Sequence, residues 1–360
     1  MTSDARFTFR AEDWGGLALD RQRDRVWAFD VPSFRHVRGD PREILRRTGG
    51  RDPFCYRGDF WFGTFPRPEN FSLRAPISVS WTLTRVCQSA CIFCCTDSHI
   101  RAPFGADLPT IRRALDRLSE WGALRLIAGG GEPLTRPDVE PILEHAASRG
   151  LAPVLATNGF LLDRTSARRL APFVMQFQIS LDSVRPDEYA ALRGAAGGPH
   201  LALRAIEEAA EAGSNVRVIT VLNTRNIDHL EEVAKAVQRS AATQWFLFAV
   251  QPSGRGARLQ YKLGLRSFEV VRARVVEIKK GLRDDLAVCF WGEGGDDSIA
   301  VYLTEDCRME LKDYTTNARQ SLNIDLGGER TGDYRKAWQQ LNSGAKYATL
   351  KNFVSPLRTI

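Results

Sequence analysis

The sequence predicts an α/β protein: an incomplete barrel of parallel strands with a small sheet before it and a short extension after it. Two features carry that prediction. From Ser78 to about residue 282, short apolar runs alternate with longer amphipathic segments, the grammar of parallel strands linked by helical crossovers. Residues 6 to 30 instead hold short alternating runs, broken at Glu12-Asp13 and Arg23-Asp24, which suit three antiparallel strands.

In chain order, residues 1–50 are expected to form the small N-terminal domain, three strands and then helical segments near 32–48, a winged-helix-like arrangement. Residues 51–77 carry too many aromatics, Gly and Pro for a helix and read as a connector. The barrel takes 78–282, with strands at 78–83, 124–128, 152–156, 174–180, 216–222 and 244–250. Helices are expected near 107–121, 136–149, 163–171, 199–213, 227–240 and 267–281. In the fourth, Leu201, Ala205, Ile206 and Ala209 share one face and Gly213 supplies the stop. Six such units make a partial (β/α)6 barrel of the TIM type, whose functional residues collect in the loops after the strands' C-terminal ends. Residues 283–360 lose the alternation and form an extension, with possible strands at 299–303 and 321–326.

Composition narrows the function. Hydrophobic content of 43% and charged content of 26% belong to an ordinary globular chain. The longest apolar runs, such as 244–250, fall far short of the roughly 20 residues of a membrane span. The charged N-terminus has no apolar signal core, so a cytoplasmic location and reduced thiols are expected. A net charge of +7 is spread along the chain and describes a solvated surface, so no nucleic-acid partner is expected. Seven cysteines then read as metal ligands or reactive thiols rather than as a disulfide framework.

The informative run is 82-TLTRVCQSACIFCC-95, in which Cys87, Cys91 and Cys94 have the spacing C-x3-C-x2-C just after the first barrel strand. Most cubane clusters use four thiolates; three leave one iron open for a bidentate ligand, as an enzyme requires and a structural site avoids. Structural zinc calls for paired Cys or Cys/His elements, and no second pair is present. Cys95, beside the third cysteine, reads as a non-ligand.

With Phe93 before the third cysteine, this run resembles the signature of the radical S-adenosylmethionine (SAM) superfamily. The resemblance extends over residues 76 to about 256. It implies one 4Fe-4S cluster on Cys87, Cys91 and Cys94, with SAM as second cofactor. Gly130, Gly131 and Glu132 in 129-GGGEP-133 resemble the family's GGE motif, whose glycines allow close backbone approach to SAM and whose acid receives the SAM ammonium group. Asn158 in 157-TNG-159, Ser180 and Asp182 in 180-SLDS-183 and Asn223 look like family elements lining SAM, and Arg193 in 192-LRG-194 matches an arginine directed at its carboxylate. The turn 251-QPSGR-255 completes the ring. The implied chemistry is one-electron cleavage of SAM to a 5′-deoxyadenosyl radical, with a flavodoxin- or ferredoxin-like protein as reductant.

Residues 6–30 resemble the three-stranded start of a RiPP recognition element, which implies that the substrate is a ribosomally made precursor peptide whose leader adds as a strand to a sheet edge. The extension resembles a degenerate SPASM or Twitch unit. Only Cys289 and Cys307 remain there, too few for an auxiliary cluster, and Cys55 is distant in sequence. Crosslinking or epimerisation is then the expected reaction, with Cys289 and Cys307 as candidate hydrogen donors. The competing readings are a radical SAM enzyme acting on a small molecule and a non-catalytic metal-binding scaffold.

Overall fold

The computed structural model describes residues 7–12, 15–22, 25–30, 54–56, 59–62, 73–194, 198–265, 267–291, 299–313, 319–328, 336 and 358–359. The helices expected near 32–48 lie outside these residues.

Strands β1 (Phe7–Glu12), β2 (Gly15–Asp20) and β3 (Arg25–Asp30) pair antiparallel, with breaks where the charged pairs predict them. The segment read as a connector does more than connect: β4 (Phe54–Tyr56) and β5 (Asp59–Phe62) extend the sheet in the order β1-β2-β3-β5-β4. Their aromatic content, which argues against a helix, suits a strand.

The second sheet begins with β6 (Ser78–Thr84). Then come α1 (Leu108–Trp121), β7 (Arg125–Gly130), α2 (Val139–Ser148), β8 (Ala152–Thr157), α3 (Arg164–Leu170) and β9 (Gln176–Ser180). The chain continues through α4 (Pro186–Arg193), α5 (Gly198–Glu211), β10 (Asn215–Leu222), α6 (Leu230–Arg239), β11 (Gln244–Ala249), α7 (Gly254–Leu263) and α8 (Phe268–Lys280). All six expected strands form and pair parallel in sequence order. Local chemistry sets the helix limits: Asp107 caps α1 by accepting from Thr110 N, and Gly122 ends it at φ +103°. Helices α4 and α7 are short additions to the expected set, and α7 carries two glycines that weaken its sequence signal.

The sheet continues past residue 282. Strand β12 (Ala287–Trp291) lies parallel to β11, and β13 (Ile299–Leu303) lies parallel to β6 on the opposite side. Beyond β13 come β14 (Arg308–Asp313) and β15 (Arg319–Asp325), and β16 (Arg358–Thr359) flanks β12. The order is β15-β14-β13-β6-β7-β8-β9-β10-β11-β12-β16, an open sheet whose outer strands do not meet among the described residues. The partial barrel is therefore present, and strands of the extension widen it.

Alternation sorts the strands' side chains. Val79, Trp81, Leu126, Ala128, Phe177, Ile179, Val218, Trp245, Leu247 and Val288 join the helices in one core. Their neighbours Ser80, Gln178, Arg217, Phe246 and Cys289 face the other, concave side.

The N-terminal sheet is fixed to the loops that enter the strands. Arg10 Nη1 donates to Pro76 O at 3.0 Å and to Gly122 O at 2.9 Å, just before β6 and β7, and Arg21 Nη2 donates to Gly150 O, just before β8. Glu12 accepts from Arg10 Nε at 2.6 Å and from Arg74 N at 2.8 Å, while Leu17 and Leu19 enter the barrel core. Burial pushes the Glu12 carboxyl up and the Arg10 guanidinium down, so each is the other's compensation.

Candidate functional site

At the opposite end of the sheet, the loop after β6 folds back between two supports. On one side, Ala90 N and Ile92 N donate to Arg193 O and Leu192 O at the end of α4. On the other, Arg255 N and Nε donate to Cys94 O and Cys91 O, at 2.8 and 2.7 Å, and Arg255 Nη1 reaches Asp97 Oδ1 and Ser98 O. A methyl on Gly254 would stand 2.3 Å from Cys94 O, so only glycine permits this approach. Phe93 plugs the apolar space between Leu192 and Val250.

This loop presents Cys87, Cys91 and Cys94 in three different surroundings. Cys87 Sγ is 3.4 Å from Ser89 N and 3.9 Å from Asn158 Nδ2. Cys94 Sγ is 3.4 Å from both Ser98 N and Thr96 Oγ1. Cys91 lies instead in the field of Arg193; burial pushes its thiol up to about 11, with that guanidinium opposing. Burial raises the Cys87 thiol too, against the Ser89 N–H. The free Cys87 and Cys91 thiols are thus held neutral, and a bound metal centre would turn them into thiolates. Cys95 is exposed.

The loop after β7 packs directly beneath. Gly131 N donates to Thr84 O and Glu132 N to Val86 O, and a methyl on Gly131 would stand 2.2 Å from Val86 O. At Gly130, with φ +108°, a methyl would stand 2.6 Å from Thr84 O. The glycines thus allow close approach to the backbone leading into Cys87. Glu132 is fully buried. Its Oε1 accepts from Thr157 Oγ1 at 2.8 Å and Leu134 N at 3.1 Å, and its Oε2 accepts from Asn158 N at 2.8 Å. Oε2 retains room for one more donor. Burial raises this carboxyl despite the three bonds, so a cationic partner would be welcome.

Beside Cys91, Arg193 donates through Nε to Asp182 Oδ2, with Nη2 ion-paired to the same oxygen at 2.6 Å, and Asp182 Oδ1 accepts from Val221 N at 2.7 Å. Burial opposes the Arg193 charge, but Asp182 and Cys91 hold its pKa above the ordinary value. The guanidinium lies 6.0 Å from the Phe93 ring and 5.7 Å from that of Tyr189.

The remaining predicted residues divide. Ser180 ends β9 on the concave side of the sheet. Asn223 closes its own turn: its Nδ2 donates to Val221 O and its Oδ1 accepts from Arg225 N. Cys289 packs on the concave side with Ile219 and Phe246, whereas Cys307 is wholly enclosed in the main core, its thiol pushed up to about 12 by burial. Cys307 is therefore closed to a substrate. Thr96, Ser98, Thr157 and Tyr189 were not singled out by the sequence; the polar run 96-TDS-98 directly after the cysteines is the signal that could have drawn attention to the first two.

Three buried polar atoms around the cysteine loop have no partner: Gln88 Oε1, Tyr189 Oη and Arg255 Nη2. Orphans of this kind are rare and call for a polar occupant. Among the described residues, no three metal-ligating side chains are gathered tightly enough for a single ion. The orphaned atoms fit a polar group of several atoms seated against this loop. Cys87, Cys91 and Cys94 fit three corners of a 4Fe-4S cluster, and Glu132, Asn158 and Arg193 fit the charged end of SAM.

Residues 81–237 match the model of the radical SAM superfamily. Mycofactocin maturase MftC of Mycobacterium tuberculosis H37Rv is 33% identical over 186 residues, 51% of this chain and 47% of that protein. The AdoMet-dependent heme synthase of Methanosarcina barkeri is 32% identical over 185 residues, 51% of this chain and 53% of its own length. The chain thus spans about half the length of these relatives. Among solved structures, Streptococcus suis SuiB bound to S-adenosylmethionine superposes with a TM-score of 0.68 at 13% identity, over 96% of this chain and 90% of SuiB. Native anSMEcpe with bound AdoMet gives 0.54 at 14% identity, over 78% and 83%. The cysteine loop, the glycine turn beneath it and these likenesses agree: residues 81–237 are a radical SAM domain, the domain that works with one 4Fe-4S cluster and SAM.

Proposed function

We propose that this chain is a radical SAM enzyme that modifies a ribosomally made precursor peptide by crosslinking or epimerisation. The single observation behind the peptide assignment is the N-terminal five-stranded sheet packed on the barrel, which offers backbone edges to an extended chain. The likeness to SuiB, also solved bound to precursor peptide SuiA, spans nearly the whole chain and supports the reading. The heme synthase likeness, over about half of this chain, keeps a small-molecule substrate as the second reading.

When bound, the cluster supplies one electron to SAM, and SAM supplies the oxidising power that removes a substrate hydrogen atom. The chain's own residues prepare that event. Glu132 receives the ammonium group of SAM, Arg193 attracts its carboxylate while Asp182 fixes the guanidinium plane, and Asn158 steadies Cys87. Phe93, Leu192 and Val250 keep water from the flank of the loop. Ser180 and Cys289 line the concave side toward the substrate. A flavodoxin- or ferredoxin-like protein supplies the electron.

Anaerobically reconstituted and reduced protein is expected to release 5′-deoxyadenosine from SAM, and faster when a cognate precursor peptide is added. Absence of cleavage by iron-loaded protein would sink the enzymatic reading. Cleavage stimulated only by small molecules would sink the peptide assignment.

A further inference from the structure

The third cysteine carries a hydroxyl chain that the mechanism has not used. Thr96 Oγ1 lies 3.4 Å from Cys94 Sγ, 3.2 Å from Gly130 O and 2.6 Å from Ser98 Oγ. Its one proton faces two acceptors, the carbonyl and the sulfur, so Ser98 is the donor in the short hydroxyl pair. Ser98 is buried, and its backbone N–H also points at Cys94 Sγ. Asp97 between them has φ +52° and is held by Arg255 and Arg258, which fixes both hydroxyls in place.

As a thiol, Cys94 can donate to Thr96. As a cluster ligand it is a thiolate and can only accept, so Thr96 then has reason to turn its proton from the Gly130 carbonyl to the sulfur. Hydrogen bonds to cluster sulfurs stabilise the extra electron of the reduced state and raise the potential. Cys87 receives an N–H and a distant amide, and Cys91 a guanidinium's field; only Cys94 has a hydroxyl within 3.5 Å.

We propose that the Thr96 hydroxyl, braced by Ser98, is a positioning group that donates to the Cys94 thiolate and sets the reduction potential of the cluster. This rests on the cluster assignment above, and the experiment separates the two. Wild type and the full-length variants Thr96→Val, Thr96→Ser and Ser98→Ala are reconstituted with iron and sulfide, assayed for both, and titrated by EPR-monitored potentiometry without SAM. Thr96→Val, which keeps the shape and removes the hydroxyl, should hold wild-type iron at a more negative midpoint. Thr96→Ser should restore it, and Ser98→Ala should shift it in the same direction by less. An unchanged midpoint in iron-replete Thr96→Val overturns the proposal, as does Thr96→Ser failing to restore a lowered one. Should Thr96→Val not retain iron, Ser98→Ala decides: a lowered midpoint supports the role, and an unchanged midpoint or lost iron overturns it. Failure of the wild type to take up a cluster would instead remove the cluster assignment itself.

Discussion

Arg193 and Asp182 form an ion pair on a single carboxylate oxygen, Nε donating a hydrogen bond to it at 2.6 Å and Nη2 standing 2.6 Å from it, in a setting where both side chains are almost wholly buried. The other oxygen of Asp182 is tied to Val221 N, so the pair joins α4, β9 and β10 directly beside Cys91. Removing one partner strands the other charge. Arg193→Ala should therefore lower stability by about 3–5 kcal/mol. Arg193→Lys should fold better but weaken SAM binding, because a point charge cannot hold the planar contact. Urea unfolding and SAM titration of the same preparations check both; a wild-type SAM affinity in Arg193→Lys would contradict the assigned role.

Glu132 should give the protein without cofactors a distinctive pH response. Its folded pKa is raised, so the native state binds its proton more tightly than the unfolded chain does. Its contribution to stability is complete below the ordinary carboxylate range and declines as pH rises from there through the raised folded value. Glu132→Gln should flatten that part of the profile and weaken SAM binding at least tenfold. Denaturation at a series of pH values reads the first effect and calorimetry the second.

Gly131→Ala places a methyl against Val86 O with no flexible neighbour to yield. The expected cost is about 1–3 kcal/mol, and the displaced loop should load less iron. Iron content and thermal unfolding measure it.

Cys95 and Cys94 are neighbours in sequence but not in role. Cys95→Ser should load a full cluster and Cys94→Ser should not, a contrast visible in the visible absorbance of the reconstituted proteins. Equal loading would require a different ligand set.

The six central strands were legible because each is a compact apolar run between helices of clear period. Strand β12 was not, since 286-LAVCFW-291 follows a helix closely and runs into a Gly-rich stretch that weakens any periodic signal. The place of β13 beside β6 could not be read at all, because parallel pairing across so much chain leaves no local mark. In the site, the cysteine spacing drew attention to the loop, and Glu132 of the glycine turn is buried against the backbone that leads into it. At Asn223 the sequence is ambiguous for a physical reason: an Asn at a strand end serves equally to close a turn, and 223-NTRN-226 is such a turn. The Thr96–Ser98 contact was hidden because Gly130, which completes it, comes from another strand.

The N-terminal sheet grips the base of the barrel, at the loops entering β6, β7 and β8, while the cysteines sit at the summit. Strand β6 alone, seven residues long, separates the two poles by about 23 Å. A peptide anchored below, as proposed, must climb the outer wall, so at least about seven extended residues have to separate its docking segment from the residue that is altered. Trimming that tether in stepwise deletions should leave docking intact and silence modification abruptly, a ruler effect set by the height of the barrel.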